Sequence, residues 1–503
     1  MSNNNDPPAC SRTRWAQFRF SVVGALLAAP PRQGALQKAI KELARKRYRH
    51  PITGERVRFG FSTIERWYYK AQNARTDPVG ELRRKVRKDL GQHPAMPATL
   101  RPRLAGQYKR HQSWTYQLHA DNLEVIAIDE LKLERTPSYP TVRRYMKATG
   151  MFRRRRRGPK DSESGQRAEQ RFETHEVRSF ESTHVHGLWH LDFHPGSRRV
   201  LTADGHYKKP QLLGVVDDRS RLCCHLQWYL SETAENLVHG LSQAMLKRRL
   251  PRALLTDNGS AMTAAETTQG LGRLSIVHDT TLPYSPEQNG KQECFWGQVE
   301  GRVMAMLEDV QQLSLSLLNE ATLAWMELEY NRKVHSEIGT TPLFRYLEGP
   351  EVGRDCPGAE VLRQRFCKQE GRSQRRSDGT VSIKGVRFEI PSRYHNLEKV
   401  AVRYARWDLS CVWLVDGRTD TVLCRIYPLD RERNADGRRR RIGPVLDEQP
   451  EPEPTGDDTG SGVAPLLKKL MADYAHSGLP PAYLPKDDIT TTADATDQEG
   501  DDE

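Results

Sequence analysis

Apolar positions recur along this chain at two spacings, and the change from one to the other near His184 divides it. Before that point the spacing is helical. Residues 33–47 carry one apolar stripe. After a turn-rich break at residues 51–60, Phe61-Ser62-Thr63-Ile64-Glu65-Arg66-Trp67-Tyr68-Tyr69-Lys70 opens a second helix. Ser62 and Glu65 have the spacing of a capping box, in which each side chain satisfies a backbone donor of the first turn. A third helical pattern lies within residues 114–133. A fourth follows Pro137-Ser138-Tyr139-Pro140, with proline in its first turn. Residues 1 to about 15 are polar and are expected to be disordered.

Beyond His184 short strands alternate with helices. The pattern predicts strands over 188–193, 211–216 and 222–229, with a hairpin turn at Asp217-Asp218-Arg219-Ser220. A helix over 231–250, strands at 254–256 and 275–277, and a long helix over 286–307 follow. In that last helix Phe295, Val299 and Val303 share a stripe, and Glu293 borders it, so its side chain is expected to face the sheet. Residues 321–331 read as another helix. From 380 to 427, Val381, Ile383, Val400, Val402, Val412 and Leu414 alternate with polar neighbours, which predicts a small barrel or sheet. Residues 448–462 are rich in proline, acid and glycine and read as disordered. An amphipathic helix over 463–474 and the stiff apolar piece Leu479-Pro480-Pro481-Ala482-Tyr483-Leu484-Pro485 lie beyond them.

Charge then narrows the partners. A formal net charge of +13 and a pI of about 9.3 favour a polyanion, nucleic acid before membrane. No apolar run is long enough to span a bilayer. Residues 20–29 mimic a signal peptide, but Leu36, Ile40 and Leu43 continue a helical pattern just past them. The eight cysteines show no metal-type pairing, which points to a reducing cytoplasm with buried thiols. Candidate DNA contacts are Arg66 and Lys70 on the second helix, then Arg143, Arg144 and Lys147 on the fourth. The first of these helices suits a helix-turn-helix recognition element. The run Arg153, Arg154, Arg155, Arg156 and Arg157 is placed to track phosphates.

Three acids carry the candidate chemistry. Asp192 sits in the strand Leu188-Trp189-His190-Leu191-Asp192-Phe193. Asp257 ends the strand before Asn258-Gly259. Glu293 follows Ser285-Pro286-Glu287-Gln288-Asn289-Gly290, with 35 residues between it and Asp257. An aspartate after an apolar strand is most often a turn residue or a helix cap, and Asp217 and Asp218 read that way. The three acids differ in their order and context. Carboxylates are hard oxygen ligands, and brought together they could hold two divalent ions for in-line displacement at a phosphodiester.

These pieces resemble the DDE transposase and retroviral integrase superfamily. The resembling motifs are Trp189-His190-Leu191-Asp192, Thr256-Asp257-Asn258-Gly259 and Tyr284-Ser285-Pro286-Glu287-Gln288-Asn289-Gly290 leading to Glu293. Tyr330-Asn331, His335-Ser336 and Thr341-Pro342 add a segment common in bacterial insertion-sequence transposases. The resemblance covers roughly residues 180–345. It implies an α/β, RNase H-like catalytic core with Asp192, Asp257 and Glu293 as metal ligands and catalytic acids. It further implies two Mg²⁺ or Mn²⁺ ions, 3′-end nicking by water, and strand transfer by the freed 3′-hydroxyl. Asn258, Gly259, Asn289 and Gly290 would shape the loops at the second and third acids. The flanks are similar to those of Mu-type transposases, with helical end-binding domains before the core and a small β-barrel after it. Where some relatives place lysines after the glutamate, this chain has Gly297 and Glu300, and the zinc-binding amino-terminal domain of retroviral integrases is absent.

The expected organisation is therefore a helix-turn-helix domain over 1–80, and a second helical DNA-binding domain with a basic linker over 81–175. The catalytic core follows over 176–347, a β-barrel over 348–435, and a disordered acidic tail with a docking helix over 436–503. The expected activity is that of a DNA transposase, working as a homo-oligomer on double-stranded DNA of element ends and target. It would act in a bacterial cytoplasm at the nucleoid, with no membrane. By resemblance, an AAA+ ATPase is the partner for the tail. The rival readings are an RNase H-like nuclease without strand transfer and a non-catalytic DNA-binding regulator.

Overall fold

The computed structural model describes residues 11–32, 34–74, 76–83, 93–154, 181–281, 290–430 and 462–479. It divides into two units, residues 1–95 and 96–503.

In the first unit, α1 (Ser11–Ala28), α2 (Leu36–Arg45) and α3 (Phe61–Gln72) enclose a core of Val23, Ile40, Ile64, Trp67 and Tyr68. A two-stranded ribbon, β1 (Tyr48–Arg49) and β2 (Arg56–Val57), joins α2 to α3. Two expectations fail here. Helix α1 begins at Ser11, inside the stretch read as disordered. The capping box is not formed: Gly60 is the N-cap of α3 and no side chain caps it, so Ser62 already lies in the first turn. A short α4 (Pro78–Glu81) closes the unit, with Asp77 accepting from the Gly80 amide.

The second unit opens with α5 (Leu100–Arg110), α6 (Tyr116–Val125) and α7 (Tyr139–Ala148). Its centre is a five-stranded mixed sheet in the order β7-β6-β3-β8-β9. The strands are β3 (Leu188–Pro195), β6 (Gln211–Asp217), β7 (Cys223–Tyr229), β8 (Ala253–Thr256) and β9 (Val277–Thr280), with a small ribbon of β4 (Val200–Leu201) and β5 (Tyr207–Lys208) between β3 and β6. Strands β3, β6 and β7 run antiparallel, whereas β3, β8 and β9 run parallel. Helices cover both faces, so the central strands are apolar on both sides. On one face Trp189, Leu191, Leu213 and Val215 pack with α8 (Ala234–Arg248) and α9 (Ala265–Arg273). On the other, Leu212, Val216, Leu226 and Trp228 pack with α10 (Gly290–Val299) and α11 (Leu315–Leu328). Strand β9 begins two residues later than expected, because Ser275 takes a left-handed turn (φ 52).

After α12 (Pro342–Glu348) and α13 (Ala359–Arg365) comes an all-β part. Strands β10 (Lys368–Ser373), β13 (Lys399–Ala405), β14 (Asp408–Val415) and β15 (Val422–Ile426) form a four-stranded sheet in that order. Strands β11 (Thr380–Ile383) and β12 (Val386–Glu389) form a hairpin. Val381, Ile383, Val400, Val402, Val412 and Leu414 are all buried in one apolar cluster, and Cys367, Ala405, Trp413 and Val415 form a second, smaller one.

The tail helix is where expectation and structure part most. Helix α14 (Pro465–His476) does not stand off on a tether. Leu467, Leu470 and Tyr474 are buried in the same cluster as Met306, Trp325 and Leu118. The Ala464 amide donates to the Met306 carbonyl (3.0 Å), and the Leu466 amide donates to Asn122 Oδ1 (3.0 Å). Its apolar stripe finds a groove between α6 and α11, and burial of those side chains outweighs a free, water-exposed helix.

Candidate active site

Strand β3 and strand β8 bring the first two acids together. Their parallel register pairs Leu188 with Ala253, Trp189 with Leu254 and His190 with Leu255. The printed pairing ends there; two residues further along each chain stand Asp192, still within β3, and Asp257, in the turn just past the end of β8. Adjacent strands lie about 4.8 Å apart. Asp192 and Asp257 are both partly exposed, unlike Trp189 and Leu254 beside them.

The turn after β8 is held from two sides. The Gly259 amide donates to Asp257 Oδ1 (2.9 Å), and the Asn258 amide group donates to the Thr281 carbonyl at the end of β9 (2.8 Å). A Cβ on Gly259 would lie 3.0 Å from Asp257 Oδ1 and 3.1 Å from Glu232 Oε1, so a side chain there would press on both acids. Glu232, in the loop after β7, is thus a fourth acid beside the second. Burial, and then the Asp257 charge, push its carboxyl up.

The third acid rides on α10. That helix lies across β6 and β3 through residues one turn apart. Gln292 Nε2 donates to the Gly214 carbonyl (3.1 Å), and Trp296 Nε1 donates to Asp192 Oδ2 (3.3 Å). Gly214 is opposite Asp192 in the antiparallel register, and a Cβ on it would overlap the Trp296 ring. His194 stacks on that ring (5.3 Å, 15°). The stripe of Phe295, Val299 and Val303 is buried as expected, but Glu293 is exposed. Gln292, one residue earlier, takes the sheet-facing position, since each helical residue turns the side chain by about 100°. Gly290 begins α10 in open space, whereas Asn289 lies outside the described residues.

The acids therefore belong to the central strand β3, the turn after its neighbour β8, and α10, but they are not drawn into a tight cage. Among the described residues no group of three or more His, Cys, Asp or Glu side chains is close enough to share an ion. Like charges without a cation repel. The donors themselves fit a hard divalent ion, because Asp192 and Asp257 offer carboxylate oxygens from a strand and from the turn after its neighbour.

Sequence reasoning missed a second set of groups just behind these. Asp217 and Asp218 do occupy a turn, but both are fully buried. Asp217 accepts from the His186 amide (2.8 Å), the Ser220 amide (2.8 Å) and the Ser220 hydroxyl (2.6 Å). Burial nevertheless pushes its carboxyl up. Asp218 accepts from His190 Nε2 (2.8 Å), the Lys291 ammonium and the Ser182 amide (2.5 Å). Burial would raise its carboxyl, but those hydrogen bonds outweigh it and hold the group well below the usual carboxylate range. Arg221, in a left-handed backbone (φ 62), leans its guanidinium on Asp218 and on Glu337. The usable signal was positional: His190 is two residues before Asp192, and Lys291 two before Glu293.

The expected DNA contacts are placed as follows. Arg66 is exposed on α3 and Lys70 half-buried there. Arg143, Arg144 and Lys147 are exposed on α7. Arg153 is exposed, and its Nε donates to the Ser113 carbonyl (2.9 Å), while the Arg154 amide donates to the Gln112 carbonyl (2.9 Å). Arg155, Arg156 and Arg157 lie outside the described residues. Of the thiols, Cys223, Cys224 and Cys367 are buried, but Cys294, beside Glu293, is exposed. No helix is long and apolar enough to cross a membrane among the described residues.

Residues 182–286 match the family model of the integrase core domain. No curated protein matches the chain. Solved structures overlap it in part. One is the intasome of simian T-cell lymphotropic virus in complex with PP2A regulatory subunit B56 gamma, at 16% identity over 50% of this chain and 80% of that one, TM-score 0.31. Another is the HTLV-2 integrase catalytic core domain in complex with magnesium, trimeric form, at 20% identity over 34% and 99%, TM-score 0.27. A third is the catalytic core domain of BIV integrase, at 25% identity over 32% and 94%, TM-score 0.25. With TM-scores this low, the assignment rests on the core-domain match. The middle of this chain is an integrase core domain of the DDE transposase and integrase superfamily, a class that implies polynucleotidyl-transferase chemistry.

Proposed function

We propose that this chain is a DNA transposase that binds the ends of a mobile element, nicks their 3′ ends and joins them to target DNA. The observation that supports the reading is the bond from Trp296, on the helix of Glu293, to Asp192, together with the parallel pairing of β3 and β8, which stops two residues short of Asp192 and Asp257. On this reading the sheet and its helices are an RNase H-like core, and Asp192, Asp257 and Glu293 hold two divalent ions, Mg²⁺ or Mn²⁺. Such ions supply an activated oxygen nucleophile and a stabilised leaving oxygen for in-line displacement.

The chain's own groups prepare the acids. The Trp296 indole orients the Asp192 carboxylate, and the Gly259 amide holds one oxygen of Asp257. Asn258 keeps the turn fixed to the end of β9. Arg66, Lys70, Arg143, Arg144, Lys147 and the arginines 153–157 contact DNA, with the helical units as helix-turn-helix readers and the all-β part as a small barrel. Joining two ends to one target calls for more than one protomer. The working place is the cytoplasm, at the nucleoid. An AAA+ ATPase partner would meet the segment from Leu479 onward, because the apolar face of α14 is already covered within this chain.

The test is a strand-transfer assay with full-length protein, a labelled duplex carrying the element end, and Mg²⁺. Joined product from the wild type and none from Asp257→Asn is the expected result. Nicked but never joined DNA would favour the nuclease, and equal turnover by the variant would remove Asp257 from the site.

A further inference from the structure

The buried carboxylate of Asp218 links the strand that carries the first acid to the helix that carries the third. Its Oδ1 accepts from His190 Nε2 at 2.8 Å and from the Lys291 ammonium. His190 and Asp192 are alternate residues of β3, so their side chains leave the strand on one face. Lys291 and Glu293 share the first turn of α10, about 3 Å apart along the helix axis. One buried oxygen is thus bonded to the residue two before the first acid and to the residue two before the third. The other carboxylate oxygen is fixed by the Ser182 amide at 2.5 Å, and Asp218's own amide donates to the Leu188 carbonyl at 2.9 Å, at the start of β3.

We propose that Asp218, with His190 and Lys291, is a positioning centre that sets the distance between Asp192 and Glu293 before any ion binds. The proposal rests on the reading of the site given above. Burying an aspartate and a lysine head group is a poor way to gain stability, since apolar residues of similar volume often do as well or better. What a buried ionic contact does provide is one fixed register between the elements that carry it. Here those elements are β3 and α10. Three clustered carboxylates tend to drift apart. A link on the Glu293 helix resists that drift from the side away from the ions. Second-layer partners of this kind orient ligand side chains, and their loss typically weakens metal affinity about 10–100-fold.

The experiment uses full-length protein without DNA and titrates Mn²⁺ by calorimetry or electron paramagnetic resonance. Thermal unfolding is recorded for each variant. Lys291→Met should weaken Mn²⁺ binding about 10-fold or more with DNA-end binding in EDTA unchanged. Lys291→Arg, which can still reach Asp218, should recover most of the affinity. Asp218→Asn should resemble Lys291→Met. If it does not fold, the two Lys291 variants decide alone. Wild-type Mn²⁺ affinity in Lys291→Met overturns the proposal, whether strand transfer survives or is lost, and loss would mark Lys291 as a DNA contact. Asp257→Asn separates this failure from failure of the site itself. If that variant binds Mn²⁺ like the wild type, the three-acid site is wrong. If it loses Mn²⁺ while Lys291→Met does not, only the positioning role is wrong.

Discussion

Two sets of carboxylates lie at this sheet, and the fold treats them in opposite ways. Asp217 and Asp218 are fully buried and surrounded by donors from β3, the turn between β6 and β7, α10 and the strand-entry segment. Asp192 and Asp257 keep water-facing surface, and Glu293 is exposed. A carboxylate saturated by protein donors has no lone pair left for a further ligand. One that faces water can exchange water for an ion or a substrate. The first set therefore builds, and the second is left able to react.

Substitutions can break that contrast. Asp257→Asn should take turnover to background while unfolding stability moves by no more than about 0.5 kcal/mol, as for a surface change. Paired activity and melting measurements check it, and a large melting shift would put Asp257 in the building set. Asp217→Ala should do the reverse. It leaves the His186 and Ser220 donors buried without an acceptor, a loss of about 3 kcal/mol or more. Denaturant midpoints measure it, and a midpoint within error of wild type would erase the distinction.

The building set also has a pH signature. His186 exposes none of its surface, and its amide is one of the bonds to Asp217. Burial pulls its imidazole down to about 4, from 6.5 when unfolded. The unfolded chain thus takes up the proton first. His186's contribution is complete above pH 6.5 and is lost as pH falls towards 4, a change of roughly 2–3 kcal/mol. Stability curves of wild type and His186→Gln between pH 7.5 and 4.5 isolate it. If the two curves run parallel, burial of His186 has no such effect. The smallest expected effect joins the two sets. Gly214→Ala should displace the Trp296 ring, costing about 1–3 kcal/mol, and loosen Asp192. Lower activity with a modest melting shift is the expected outcome, and unchanged activity would detach Trp296 from the first acid.

The water-facing acids stood out in the sequence because each lies in a short apolar strand, follows one, or opens a helix with a distinctive turn. Strands β3, β6 and β8 could be found the same way, from runs such as Leu212, Leu213, Val215 and Val216. The building set could not. Asp218 meets Lys291 across 73 residues and His190 across 28, and apart from the place of each partner two residues before an acid, no local pattern announces either bond. A turn aspartate looks the same in sequence whether it faces water or fills a hole. The phase of α10 was misread by one residue because Gln292 and Glu293 are both polar, and only the glycine at 214 opens a slot for Trp296. The tail helix showed its apolar stripe plainly, but a stripe does not name the groove that receives it.

That groove has a consequence for how the protein is made. The bond from Leu466 to Asn122 spans 344 residues of chain. A ribosome finishes α6 long before it reaches Leu467, Leu470 and Tyr474, which complete the cluster beneath it. Until then the seam between α6 and α11 stays open, with apolar side chains such as Leu118 and Trp325 at its floor. Contacts this distant in sequence form late and slowly. Nascent chains that stall before Leu467 would present an unfilled apolar seam to chaperones and proteases, because α14 supplies the side chains that fill it.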